Sequence, residues 1–243
     1  MRRGRCPEVV AACIAAATLL VACGDDKPSA SSTTVPPDTP TTISQADADR
    51  QKARRVVLTA ADLPGFTQDA PEPGDESADL EAAANACVGN NPLLVRLGEA
   101  DDRRGARSPH FSKGDAVGIG NDVTFGESED EARAAIAAVG GSTFPACFAS
   151  ALAAELRKDP TLNDVGVNTF HLVSLSVGDQ SVGYRCVARA RARGAPLTFN
   201  FDFTFIRSGR GVAVLSDFAV NGTFPEPDRA RLATTIADRM AAP

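Results

Sequence analysis

The chain has little that would serve metal, sugar or nucleic-acid chemistry. Two histidines among 243 residues exclude a multi-histidine metal site, and neither has the i,i+4 partner of a zinc helix. There is no tryptophan and one tyrosine, so stacking platforms for sugars or bases would rest on 12 phenylalanines. A basic excess is also missing. Lys and Arg number 25 against 31 Asp and Glu, a net charge of −6, which argues against a nucleic-acid partner. Glycine is modest at 20 and follows no period, and no heptad run occurs, so collagen-like and coiled-coil architectures are excluded. What remains is ordinary globular composition, 43% hydrophobic and 23% charged, enough to bury a core.

The N-terminus reads as an export signal. Arg2, Arg3 and Arg5 precede an apolar stretch from Val9 to Val21, too short for a membrane-spanning helix. It ends in Leu20-Val21-Ala22-Cys23-Gly24, which resembles a bacterial lipobox with Cys23 as the lipidated residue. Acyl chains on Cys23 would give a stable anchor at the extracytoplasmic face of the cell membrane. Removal of residues 1–22 leaves 22 basic and 30 acidic residues, a net charge of −8, so anionic head groups would not draw the domain to the surface. Residues 23–43, with Pro28, Pro36, Pro37 and Pro40 among Ser and Thr, read as a tether, and 44–243 as one folded domain.

Within that domain, Ser44–Leu58 and Leu80–Cys87 have helical character. Strand patterns cover Ala106–Lys113 and Val117–Phe125. Ser128 and Glu131 make an S-x-x-E start for a helix carrying Ala132, Ala135, Ile136 and Val139 on one side, and a second helix runs over Thr143–Lys158. Strands then follow at Val165–Val177, Ser181–Arg193, Leu197–Arg207 and Val212–Val220, with a last helix from Pro227. Strands and helices fall in separate runs. The expected class is α+β: an antiparallel sheet of about five to six strands with helices packed on one face. Phe199, Phe201, Phe203 and Phe205 alternate, and opposing Ala190 to Phe199 puts Ala188, Cys186 and Tyr184 on the Phe side. Arg191, Arg189 and Val187 then meet Thr198, Asn200 and Asp202 on a polar outer side.

Cys6 and Cys13 leave with the signal and Cys23 carries lipid, so Cys87, Cys147 and Cys186 remain. Cys186 lies on the Phe side as a small hydrophobe, and Cys87 and Cys147, both in helical Ala-rich contexts, form the better pair. No catalytic motif emerges. Gly178-Asp179-Gln180-Ser181 reads as a hairpin turn, since a nucleophile elbow needs G-x-S-x-G between strand and helix. Gly118-Ile119-Gly120 lacks a third glycine and opens no helix, so no dinucleotide site follows. His110 and His171 sit in strand patterns as structural or surface groups. The carboxylates from Glu127 to Glu131 read as a solvated face. The directional feature is the stripe Arg185, Arg189, Arg191 and Arg193 on one strand face, suited either to an anionic ligand or to cross-strand pairing with Asp202.

Leu58–Gly65, Cys87 with Cys147, Gly178-Asp179-Gln180-Ser181 with Tyr184-Arg185, the strand pair around Gly209 and the closing helix from Pro227 together resemble the PknH-like extracellular sensor domains of actinobacterial envelopes. These occur on receptor Ser/Thr kinases and as stand-alone lipoproteins, and the likeness covers about residues 55–243. It implies an antiparallel sheet with helices and a cleft for a ligand of unknown kind. The kinase-attached form has two disulfides, whereas three mature thiols permit one here. No kinase motif is present, so signalling would need a partner. Three roles follow: a non-enzymatic sensor or ligand-binding lipoprotein without cofactor or metal; an envelope protein that binds or assembles other proteins; and a hydrolase with a scattered site. A pocket with convergent polar groups would favour the first, a broad exposed apolar patch the second, and Ser181 bonded to a histidine the third.

Overall fold

The computed structural model describes residues 43–70, 78–98, 103–114, 116–172 and 175–243. The export signal, Cys23 and the tether as far as residue 42 lie outside the described residues. Helix α1 (Gln45–Val56) is capped by the Ser44 hydroxyl, which accepts from the Asp47 N–H at 3.2 Å. A 3-10 turn at Ala60–Asp62 leads to strand β1 (Thr67–Gln68). Then come α2 (Ala78–Cys87), α3 (Pro92–Gly98), β2 (Gly105–Arg107), β3 (Phe111–Lys113) and β4 (Val117–Phe125). Helix α4 (Glu129–Val139) starts where the Ser128 hydroxyl accepts from the Glu131 N–H. Then α5 (Phe144–Leu156), β5 (Leu162–His171), β6 (Gln180–Ala192), β7 (Ala195–Ser208), β8 (Gly211–Val220) and α6 (Glu226–Ala241) complete the chain.

The class is α+β, with a wholly antiparallel sheet ordered β1-β3-β4-β8-β7-β6-β5 and β2 also paired to β4. It has eight strands, more than the five to six expected. Part of the excess comes from Ala106–Lys113, which is two short strands. Pro109 cannot donate to the ladder, and the Ser108 hydroxyl replaces a backbone acceptor by taking the Asn121 N–H at 2.8 Å. The strand expected at Val165–Val177 starts earlier and stops at His171, and the turn into the next strand comes at Gly178, whose φ is +63°.

Helices cover both faces of the sheet, not one. On one face α1 and α6 pack on Ile119, Val123, Ile206, Ala213 and Leu215; on the other α3, α4 and α5 pack on Tyr184, Cys186, Val212 and Val214. The reason is visible in β8, where Val212, Ala213, Val214 and Leu215 are all buried. A continuous apolar run marks a strand covered on both sides.

The β6–β7 hairpin keeps the expected faces but shifts register by two residues. Ala188 opposes Phe199, Cys186 opposes Phe201 and Arg185 opposes Asp202. Arg193 and Gly194, with φ of 52° and 83°, form a two-residue turn that places Ala192 against Ala195. A slip of two leaves every side chain on its own face.

Candidate functional site

The face carrying the phenylalanines is incompletely filled. Phe203 meets Phe148 of α5 edge-on at 5.1 Å between centroids, and Phe205 meets Phe144 in the same way at 6.1 Å. These T-shaped contacts prop α5 off the sheet. Helix α2 is held against α5 by a disulfide between Cys87 and Cys147, with 5.6 Å between their Cα atoms. Tyr184 fixes the end of α4 by donating to the Val139 carbonyl at 2.7 Å. Between these roof helices and strands β4, β8 and β7 lies a cleft of about 620 Å³, lined by Leu80, Ala84, Val88, Leu94, Leu97, Phe144, Phe148, Phe201, Phe203, Phe205 and Phe218.

Polar groups line this cleft too, supplied by α2, β2, the connection from β2 to β3, and β4: Glu81, Asn85, Arg107, Ser108, His110 and Asp122. Two strand glycines make room for His110 and Ser108. A Cβ at Gly118 would lie 2.1 Å from the Phe218 ring and 2.7 Å from the His110 ring, and a Cβ at Gly120 would lie 3.4 Å from the Ser108 hydroxyl. Gly118 therefore seats the two rings, and Gly120 packs beside Ser108. His110 stacks on Phe218 at 5.8 Å with 8° between planes. Its Nδ1 is 2.5 Å from Asp69, which also accepts from the Ser112 hydroxyl at 2.6 Å. Burial works against the Asp69 anion, but those two bonds outweigh it and hold its carboxyl below the usual range. Arg107 bonds Asp122 at 2.6 Å and Glu81 at 3.4 Å. Burial raises the Asp122 carboxyl despite the pull of that guanidinium.

The arginine stripe lies on the opposite face, and its members diverge. Arg185 grips Asp202 through Nε at 2.7 Å and Nη2 at 2.6 Å. Arg191 donates to the Gly194 carbonyl at 3.0 Å and stands 3.6 Å from Asp164. Arg189 and Arg193 are exposed. Asp202 is shared with Arg229 of α6, which also bonds Asp217 at 2.8 Å. Asp202, Asp217 and Arg229 are each at most 4% exposed, so the part of this side around Asp202, expected to face solvent, is sealed by α6. Burial pushes the Asp217 carboxyl up to about 6, with Asp202 adding to the shift. The Ser181 hydroxyl donates to the Leu175 carbonyl. Among the described residues neither histidine is bonded to a serine, threonine or cysteine. Cys186 is free and fully buried, and burial pushes its thiol up to about 11.

The resemblance implied a cleft without placing it, and its walls, the His110–Asp69 pair and the Arg229 cluster were not read from the sequence. The one available signal for the first was the row of phenylalanines opposite small residues, a surface in need of a cover. His110 and Asp69 are 41 positions apart, and nothing local links them.

No family model and no curated protein matches the chain. Among solved structures, the extracellular domain of PknH from Mycobacterium tuberculosis resembles it weakly, with a TM-score of 0.40 and 10% identity over 78% of this chain and 95% of that one.

Proposed function

We propose that this is the ligand-binding domain of an extracytoplasmic lipoprotein, a non-enzymatic sensor or carrier that takes an amphiphile into its phenylalanine-lined cleft. The observation that carries the reading is the cleft of about 620 Å³ with aromatic walls and polar groups in its lining. Ligand pockets of this size typically pair apolar walls with a few convergent polar groups. An alkyl chain would lie against Phe203, Phe205 and Phe148, and its polar end would meet His110, which Asp69 holds in one orientation. The disulfide between Cys87 and Cys147 suits an oxidising compartment, and Cys23 with its tether would hold the domain at the membrane. An assembly role would need a broad apolar surface. Among the described residues the exposed large hydrophobics are Ile43 and Phe170, which are not neighbours in sequence.

The test is displacement of a fluorescent dye, anilinonaphthalene sulfonate, by dodecanoate on the mature chain carrying Cys23→Ser. Saturable displacement is expected with the wild-type cleft, and none with Ala84→Trp, which fills it. Equal displacement in both proteins, with unchanged thermal unfolding, would remove the cleft from consideration.

A further inference from the structure

A second pocket, of about 210 Å³, lies on the far face of the sheet, between β6, β7, Leu172, Leu175 and the start of α6. Arg185, Thr204, Glu226 and Arg229 line it together with Leu172 and Leu175. Thr204 is 2% exposed and, among the described residues, its hydroxyl has no hydrogen-bond partner. A buried polar group left unpaired is costly, so such a group at the lining of a pocket calls for an occupant. The two arginines offer further donors. Arg185 uses Nε and Nη2 on Asp202, and Arg229 uses Nε and Nη2 on Asp217, Asp202 and the Phe224 carbonyl. Among the described residues the Nη1 of each has no partner. Their carboxylates hold both guanidinium planes fixed, as a preformed anion clamp requires.

Charge decides which anion. Two guanidinium groups stand against Asp202, Asp217 and Glu226, one negative charge in excess when all are ionised and His171, also at the lining, is counted as neutral. A bare carboxylate would enlarge that excess, whereas a ligand that brings its own cation would not. Glu226 is exposed at the pocket, in the first turn of α6, and can take an ammonium. Leu172 and Leu175 leave an apolar wall. We propose that this pocket binds a free α-amino acid with a small apolar side chain. Its carboxylate would meet the two Nη1 groups and the Thr204 hydroxyl, its ammonium Glu226, and its side chain the two leucines. The site is separate from the amphiphile cleft, from which the sheet divides it.

Isothermal titration with L-valine on the mature chain carrying Cys23→Ser tests this. One site per chain is expected. 3-Methylbutanoate, which is valine without its ammonium, should bind about tenfold more weakly, and Glu226→Gln should remove that difference. Thr204→Val keeps shape, loses the hydroxyl and should weaken valine by about tenfold. Glu226 is exposed, so Glu226→Gln reports even if Thr204→Val fails to fold. The proposal is overturned if glycine, alanine, valine and leucine all give no binding heat at millimolar concentration, or if valine binds the wild type and Glu226→Gln equally.

Discussion

The two faces of the β6–β7 hairpin solve opposite packing problems. One carries Phe201, Phe203 and Phe205; the other carries Arg185, Asp202 and Thr204. The aromatic face is roofed by helices that touch it through ring edges, and it keeps a cleft of about 620 Å³. The charged face is closed around Asp202 by α6, which inserts Arg229 between Asp202 and Asp217. Apolar surface tolerates a gap because no single contact is obligatory, whereas a buried carboxylate must be met at hydrogen-bond distance. Space for a large ligand is therefore left on the side where packing is non-directional, and the ion cluster holds α6 in place.

This contrast can be broken most strongly from the charged side. Arg229→Met leaves Asp202 paired with Arg185 and Asp217 without an ion-pair partner among the described residues, and should cost about 4 kcal/mol in urea unfolding, with little effect on dodecanoate binding if the protein is kept folded. On the aromatic side the largest effect should come from the disulfide. It closes a loop with a sequence separation of 60, for which chain entropy gives roughly 4 kcal/mol and measured removals about 2–5. Replacing both Cys87 and Cys147 by Ala should cost about 3 kcal/mol on that scale. It should also weaken dodecanoate binding, since α2 is no longer tied to α5. Gly118→Ala comes next, at about 2 kcal/mol by urea unfolding, because its Cβ would collide with Phe218 and His110.

A smaller effect is a pH dependence from the charged face. The Asp217 carboxyl titrates at about 6 in the fold, above its ordinary value of 3.8. The folded state thus binds more protons between these values, and this group's contribution to stability falls as pH rises through that window and is level above it. Asp217→Asn should abolish that component in urea midpoints measured from pH 4 to 7. Cys186 should resist iodoacetamide in the native state and react only as fast as the protein opens, because its thiol is buried and titrates at about 11.

How much of this was legible follows the range of the interactions. The alternation of Phe199 to Phe205 against Ala188, Cys186 and Tyr184 reported a face, because period-two patterning is local and parity survives an even slip. The register itself depended on the turn at Arg193-Gly194, where a non-glycine residue takes a positive φ. The second covered face was present in the unbroken run Val212 to Leu215, which reads as a strand before it reads as a two-sided one. Cys186 could be set apart from Cys87 and Cys147 by face alone. Arg185 and Asp202 were correctly suspected of meeting, but Arg229 comes from the last helix and no spacing connects it to them. The cleft was the least legible feature. It is a volume left between α2, α3, α5 and the sheet, set by helix positions and not by any residue's own preference.

The central claim is that the aromatic cleft holds an alkyl chain, and photocrosslinking tests it most directly. A fatty acid bearing a diazirine near its methyl end should be activated on the full mature protein and the labelled peptides mapped. The account predicts label on Phe144 to Phe148 and Phe201 to Phe205, competed by dodecanoate and lost in Ala84→Trp. Label confined to other surfaces, or insensitive to both, would contradict it.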